Sequence, residues 1–156
     1  DLTPLVKEPL FLIGSAQSTL QQNEVLELKK IEKFPLILPF HPHRLRSLIE
    51  QAYKQNGSHL NIYAETNDLN IQKQLVIQGF GYTILPLVSV INEFRAGLIK
   101  VTPIVDPAFS RVITLAMHST RNIPKHIRII SREIVGCVEQ SIEQKKWPKA
   151  EWIYES

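Results

Sequence analysis

The residue spacing most able to do chemistry is the pair of imidazoles at His41 and His43, on either side of Pro42. Two histidines so close could hold a metal ion, but no third ligand stands near them, so we expect no metal site. They fall between an apolar strand and a helix, where unpaired backbone N–H groups and the helix dipole favour an anion. Phe40 and these three residues are therefore candidates to contact a carboxylate or another oxyanion. A plain capped turn with both imidazoles in solvent fits the same residues.

Three other segments could meet the same ligand. Gly14 and Ser15 end an apolar strand, where glycine permits close approach of a ligand or a hinge rotation; an ordinary turn is the alternative. Pro86 and Leu87 follow a strand, and ligands bind beyond the strand ends of open α/β sheets. Phe109 could line a cleft floor or pack in the core. The candidate binding residues are Gly14, Ser15, Phe40, His41, Pro42, His43, Pro86, Leu87 and Phe109.

Arginines stand at the start of the helix that follows His43. Surface arginines are mostly solvated, so we expect the side chains of Arg44 and Arg46 in solvent. An ion pair between one of them and an acidic ligand is the alternative. A second basic group is expected to form the polar face of the last helix and not a DNA-reading groove. It comprises Arg121, Lys125, His126, Arg128 and Arg132.

Catalytic templates are absent from the sequence. It contains no Gly-x-Ser-x-Gly elbow, P-loop, Gly-x-Gly-x-x-Gly fingerprint or His-Glu-x-x-His pair. The segment Gly79-Phe80-Gly81 follows a helix and precedes a strand, which is the reverse of a dinucleotide-binding turn. The lone Cys137 excludes an internal disulfide and is expected to be an inert core thiol. We expect no enzyme activity and no cofactor.

Composition favours an ordinary folded domain. The chain has 156 residues, of which 44% are hydrophobic, and this is enough for a sizeable core. A formal net charge of +3 is too small to indicate a nucleic-acid surface by itself. No apolar run approaches the roughly 18 residues of a transmembrane helix. No signal peptide is visible at the N-terminus. We therefore expect no association with a membrane.

Apolar periodicity predicts the helices that position these residues. Arg44 to Asn56 has apolar residues at i, i+3, i+4, i+7 and i+8, and Gly57 ends it. Leu69 to Gln78 is predicted as a helix closed by Gly79. Glu24 to Lys33 is predicted as a short surface helix. The longest helix is predicted after an Asn122 cap and runs to about Glu143. Its buried stripe would be Ile127, Ile130, Ile134, Val138 and Ile142.

Strands alternate with these helices, so parallel sheets with right-handed crossovers are expected. Residues 82–85 have the β-branched and aromatic types of a strand. Leu36–Leu38 and Leu60–Ala64 are predicted as further short strands. Arg111 to His118 is almost continuously apolar and is predicted to be covered on both faces.

Four motifs, in order, resemble the effector-binding domain of LysR-type transcriptional regulators. The first is residues 8–14, Glu-Pro-Leu-Phe-Leu-Ile-Gly, similar to the strand before the first interdomain crossing. The second, residues 34–46, resembles the strand and loop that open the second lobe. The third is a helix end reading Leu-Val-x-x-Gly-x-Gly-Tyr-Thr-x-Leu-Pro at residues 75–86. The fourth, residues 101–111, resembles the return crossing. The resemblance covers about residues 3 to 142.

The resemblance implies an α/β fold of the type II periplasmic-binding-protein kind, with two Rossmann-like lobes. On that map the second lobe is residues 16–106. The first lobe is represented by residues 1–15 and 107–156, and its opening strands and helices are expected upstream. The winged helix-turn-helix of the family is not in this sequence, so promoter DNA would be bound only through a part that this chain lacks.

The implied function is a ligand-sensing and dimerising regulatory domain in the cytoplasm. A small, anionic effector would bind between the lobes. The family pairs its domains as homodimers or higher oligomers, which implies an interface at Leu45, Leu48, Ala52, Tyr53, Asn61 and Tyr63. Packing of Tyr53 inside its own lobe is the alternative. An extracytoplasmic solute-binding protein of a transporter would share the fold, so the fold cannot separate the two functions. A stand-alone enzyme is a third alternative, which would need a catalytic constellation that we do not find in the sequence.

Overall fold

The computed structural model describes residues 2–21, 23–118 and 123–155. The strands are β1 (Leu2–Ser15), β2 (Leu26–Glu27), β3 (Leu36–Leu38), β4 (Ile62–Glu65), β5 (Thr83–Pro86), β6 (Ile99–Val105), β7 (Ser110–Ala116) and β8 (Glu151–Trp152). The α-helices are α1 (Arg44–Gln55), α2 (Leu69–Ile77), α3 (Ile91–Arg95) and α4 (Lys125–Glu143), and 3-10 helices lie at Leu28–Lys33 and Leu87–Val90. None of the helices in these described ranges is long and apolar enough to cross a bilayer.

The chain forms two compact units. The large unit is Pro9–Phe109, and the small unit combines Asp1–Glu8 with Ser110–Ser156. The sequence interpretation drew the boundaries at 15/16 and 106/107. The units found in the structure divide β1 itself, seven residues earlier, and end the large unit three residues later.

A mixed sheet forms the centre of the large unit. β1 pairs antiparallel with both β5 and β6, and β6 pairs parallel with β2. β3 pairs parallel with β4. A parallel bridge between Leu36 and Tyr82 joins these two strands to β5. The strands therefore run across the unit in the order β4-β3-β5-β1-β6-β2.

The core of the large unit follows from its sequence patterns. All of β3 and β5 is buried, as expected for apolar strands covered on both faces. The predicted first helix is confirmed as α1, whose buried residues include Leu45, Ile49 and Tyr53. The Asp68 carboxylate caps α2 by accepting hydrogen bonds from the backbone N–H groups of residues 70 and 71. After α2, Gly79 adopts a positive φ of 82°, which glycine accommodates without strain.

Two predicted elements of the large unit differ in the structure. The segment predicted as a surface helix at Glu24–Lys33 is instead the short strand β2 followed by a 3-10 helix. Leu28 and Ile31 in that 3-10 helix are fully buried, because a short helix with apolar residues at i and i+3 faces the core on one side. The strand predicted at Leu60–Ala64 is displaced by up to two residues, to β4.

The small unit contains β7 and β8, which pair with β1, and α4. The predicted cap Asn122 and the predicted basic residue Arg121 lie outside the described residues. The predicted burial in this unit is wrong. β7 alternates half-buried and exposed residues, and the stripe of α4 is open, with Ile130 53% exposed. Cys137 is also exposed. Periodicity defines a shared face of a helix, but the face is buried only where another element covers it.

Candidate functional site

One edge of the large-unit sheet collects most of the candidate residues. The β1–β5 register sets Leu10 opposite Pro86, the last residue of β5. The bridge from Leu36 to Tyr82 aligns β3 parallel with β5, so these two strands end on the same side. The loop that leaves β3 therefore lies beside the end of β5. We call this side the strand-end edge and residues Phe40–His43 the strand-end loop.

Phe109 and Leu87 also belong to the strand-end edge. The Leu10 N–H donates to the Phe109 carbonyl at 2.8 Å. The Phe109 side chain is only 6% exposed and packs in the hydrophobic core, so core packing accounts for most of its surface. Pro86 is buried, and the half-buried Leu87 begins a 3-10 helix.

Gly14 and Ser15 lie at the opposite end of the sheet, which corrects their grouping with the other candidates. β1 runs antiparallel to β5, so Ile13 pairs with Thr83, at the start of β5. Four residues of strand, roughly 13 Å, separate Gly14 from the strand-end edge. The space beside Gly14 is already occupied, since an added Cβ would lie 2.8 Å from Ser18 Oγ and Tyr82 Cε1. Ser15 is buried.

The strand-end loop is held by specific hydrogen bonds. The Phe40 N–H donates to Asn67 Oδ1 at 3.1 Å, and Phe40 as a whole is 46% exposed. His43 caps α1, because its Nδ1 accepts from the Leu45 N–H at 3.2 Å. These two amides are satisfied within the protein, which narrows the set of free N–H groups for an anion. His41 Nε2 lies 3.1 Å from Glu50 Oε1, so neither imidazole is simply solvated.

Arg46 is buried, contrary to the expectation that it lies in solvent, whereas Arg44 is exposed. The Arg46 guanidinium donates to Glu50 Oε1 at 2.7 Å, to the Pro39 carbonyl at 2.9 Å and to Glu65 Oε1 at 2.5 Å. Partial burial alone would lower the pKa of Arg46, but the hydrogen bonds to the two carboxylates raise it above its usual range. Partial burial by itself raises the pKa of Glu50. The hydrogen bonds from Arg46 and His41 outweigh this effect, so the pKa of Glu50 lies below its usual value.

An open depression of about 390 Å³ adjoins the strand-end loop on the outer face of α1. It is lined by Pro42, His43, Arg44, Ser47, Leu48 and Gln51. A guanidinium, a hydroxyl and a carboxamide side by side can donate hydrogen bonds to an oxyanion. Within residues 2–21, 23–118 and 123–155, no three His, Cys, Asp or Glu side chains come together as metal ligands.

The predicted interface residues separate into core and surface. Leu45 and Tyr53 are buried inside the large unit, so they cannot offer contact surface, and burial raises the pKa of the Tyr53 phenol. They point inward because they lie on the same side of α1 as Ile49. Leu48 and Ala52 are half-buried, and Asn61 and Tyr63 are exposed.

Sequence reasoning missed the residues that hold the loop. Arg46 and Glu50 have the i, i+4 spacing of a helical ion pair, which was a readable signal. Glu65 is the last residue of β4, the strand parallel to β3, and Asn67 lies two residues beyond it. Polar side chains at the ends of neighbouring parallel strands meet at one edge, but this signal could be used only once β3 and β4 were known to pair.

The sheet, its crossovers and its strand-end edge define an α/β domain of the type II periplasmic-binding-protein kind, as predicted. Residues 1–134 match the LysR substrate binding domain family, and the chain belongs to that family. The resemblance found in the four sequence motifs is thereby confirmed.

Individual proteins agree with the family assignment. The chain is 25% identical over 145 residues to the HTH-type transcriptional regulator BbuR of Bordetella bronchiseptica, covering 93% of this chain and 45% of BbuR. The chain thus spans under half the length of that relative.

Solved structures share the fold. The effector binding domain of QuiR in complex with shikimate has a TM-score of 0.76 at 19% identity, covering 90% of this chain and 66% of that one. The regulatory domain of Synechocystis PCC6803 CcmR in complex with 2-PG has a TM-score of 0.79 at 12% identity, covering 89% and 67%.

Proposed function

We propose that this chain is the ligand-sensing part of a LysR-type transcriptional regulator and that a small anionic effector binds at the strand-end edge. The observation that carries the proposal is the convergence of the ends of β3 and β5 with the strand-end loop at one edge of the sheet. Ligands of open α/β sheets bind at such an edge.

The chemistry of the edge supports a carboxylate or a similar oxyanion. The exposed Arg44 supplies a positive charge, Ser47 and Gln51 supply neutral donors, and Phe40 supplies exposed apolar surface. Shikimate, the ligand named with the QuiR domain, combines a carboxylate with a carbon ring and would use both kinds of contact.

The revised effector site is Phe40, His41, Pro42, His43, Pro86 and Leu87, together with Arg44, Ser47 and Gln51. Phe109 packs in the hydrophobic core behind the strand-end edge and is not counted among the contact residues. Gly14 and Ser15 are left out, because they lie at the other end of β1.

The relatives favour regulation over transport. BbuR is a transcriptional regulator, and this supports a cytoplasmic, non-enzymatic role for the whole protein, in which effector binding changes how promoter DNA is bound. Because the chain spans under half of that relative, DNA binding belongs to the proposal for the whole protein.

We further propose that the whole effector domain forms homodimers through α1 and β4. Leu48, Ala52, Asn61 and Tyr63 are the surface residues of that face. Tyr63 is 61% exposed, and exposed aromatic residues are enriched at interfaces. β4 pairs with β3 along one side and has no named strand along the other within the described residues, so its edge can accept a partner.

The effector proposal is tested by calorimetric titration with small carboxylates, beginning with shikimate. We expect a carboxylate to bind, and Phe40→Ala to weaken it about tenfold or more, since a lost apolar contact of this size costs over 1.4 kcal/mol. Phe80→Ala is the matched control, because Phe80 is 54% exposed and precedes β5 at the opposite end of the sheet. Equal losses in both variants, or no binding by any carboxylate, would reject the proposal.

A further inference from the structure

The buried charge of Arg46 stabilises the base of the strand-end loop. A guanidinium removed from water costs several kcal/mol unless it is paired and hydrogen-bonded. Arg46 meets that requirement, because its side chain is only 6% exposed and it donates to two carboxylates and one backbone carbonyl.

The three acceptors come from three different elements. The Pro39 carbonyl follows β3, immediately before the strand-end loop. Glu50 lies one turn further along α1, and Glu65 ends β4. One planar side chain therefore fixes the entrance of the loop relative to the helix after it and to the neighbouring strand. Lysine could not replace it, because its single ammonium lacks the fork of donors.

The same network reaches the loop a second time. Glu50 Oε1 accepts from Arg46 and also lies 3.1 Å from His41 Nε2. On the other side of the loop, Asn67 Oδ1 holds the Phe40 N–H. The conformation of the loop thus depends on side chains outside it. Among these, Arg46 contacts both Glu50 and Glu65.

The charge of Arg46 is already matched. Two carboxylates lie within 2.7 Å of its guanidinium nitrogens, so it has no excess charge to offer an anionic effector. The exposed Arg44, two residues away, lines the depression beside the loop. Arg46 therefore makes contacts inside the protein, whereas the guanidinium of Arg44 is available at its surface.

We propose that Arg46 is a positioning residue for effector binding, which holds the strand-end loop in its receiving conformation without touching the ligand. The role of Arg46 in effector binding rests on the proposed function. Its effect on the conformation of the loop does not depend on that function, so the experiment measures the loop directly.

The test is amide hydrogen exchange of the protein and its variants. In Arg46→Gln we expect exchange at the Phe40 and Leu45 amides, which donate to Asn67 Oδ1 and His43 Nδ1, to rise about tenfold or more, the scale of a lost buried hydrogen bond to a charged group. Exchange in β5 should change less than twofold. Arg46→Lys should give an intermediate rise. Arg44→Gln, the matched control at an exposed position of the same helix turn, should leave the loop unchanged.

Unchanged loop exchange in Arg46→Gln would overturn the proposal. So would an equal rise in β5, which would mean that Arg46 only stabilises the whole unit. If Arg46→Gln does not fold, Glu65→Gln removes one acceptor, and a smaller rise confined to the same amides is then expected; no rise would reject the proposal. A loop that loosens in a protein that binds no carboxylate would reject the effector site and not the positioning of the loop.

Discussion

Single residues carry different constraints in this chain, as two glycines illustrate. A Cβ on Gly14 would lie within 3 Å of Ser18 Oγ, Tyr82 Cε1 and Leu20 Cδ1, and overpacking of this kind costs about 1–3 kcal/mol. Gly136 lies inside α4, where nothing stands within 4 Å of an added Cβ. Alanine in a helix interior is more stable than glycine by about 0.5–1 kcal/mol.

We therefore predict opposite effects of the same change. Gly14→Ala should lower the free energy of unfolding by about 1–3 kcal/mol, and Gly136→Ala should raise it by about 0.5–1 kcal/mol. Urea unfolding followed by circular dichroism measures both. A Gly14→Ala protein as stable as its parent would mean that the strand end has room for a ligand, as the sequence alone suggested.

Residue types singled out the loop at Phe40–His43 but did not reveal the side chains that hold it. His41 and His43 were expected either to meet a ligand or to lie in solvent. The structure gives each of them a partner inside the protein, Glu50 and the Leu45 N–H. Arg46 was expected on the surface and is buried. A partner such as Glu65 lies 19 residues away, and only the pairing of β3 with β4 brings it close, so no local pattern could reveal it.

At the scale of elements, an ion pair joins α2 to α3. Lys73 Nζ lies 2.6 Å from Glu93 Oε1, with side chains 17% and 19% exposed. Partial burial raises the pKa of Glu93, but the hydrogen bond from Lys73 outweighs it and lowers the net pKa below 4.5. A carboxyl group with a lowered folded-state pKa stabilises the protein above its unfolded pKa. That contribution is lost as the pH falls through the folded value.

Glu93→Gln should therefore flatten the loss of stability on acidification below about pH 4.5, the ordinary value for this group. Urea midpoints of parent and variant at pH 7 and pH 3 give the comparison. Glu27→Gln is the control, since its pair with Lys30 is exposed and such pairs contribute little. An acid sensitivity equal in Glu93→Gln and the parent would show that this pair does not stabilise the fold.

The exposed edge at β4 carries the prediction for assembly. Tyr63→Asp should convert dimers of the whole effector domain to monomers, because a charge on an edge strand opposes pairing. Light scattering after gel filtration measures the mass. Ile71→Asp is the control on the surface of α2, 53% exposed, and should leave the mass unchanged. A dimeric Tyr63→Asp domain with native circular dichroism would place the interface elsewhere.

The bounds of the helices were predicted more accurately than the burial of their apolar faces. α1 was predicted as Arg44–Asn56 and forms at Arg44–Gln55, because apolar spacing and the following glycine are local signals. The apolar stripe of α4 was predicted with the same method, yet Ile127, Ile130 and Ile134 are exposed. Periodicity states which residues share a face and contains no information about what covers that face.

For the whole molecule, strand direction decides which of the candidate residues lie at the same edge of the sheet. Gly14 was grouped with the residues that follow other strands, which would hold only if β1 ran parallel with its neighbours. β1 runs antiparallel to β5, so its own end faces away from the ends of β3 and β5. Pro9 and Phe109, the two ends of the large unit, instead lie at the strand-end edge. The sequence predicted the fold, while the grouping of the candidate residues at one edge of the sheet required the strand register.

The effector site at the strand-end edge is tested most directly by amide chemical shifts during titration with shikimate and related small carboxylates. We predict the largest changes at Phe40, His41, His43, Leu87 and Phe109, with Gly14 and Ser15 almost unchanged. Largest changes at Gly14 and Ser15, or on the surface of the 3-10 helix Leu28–Lys33, would contradict a site at this edge.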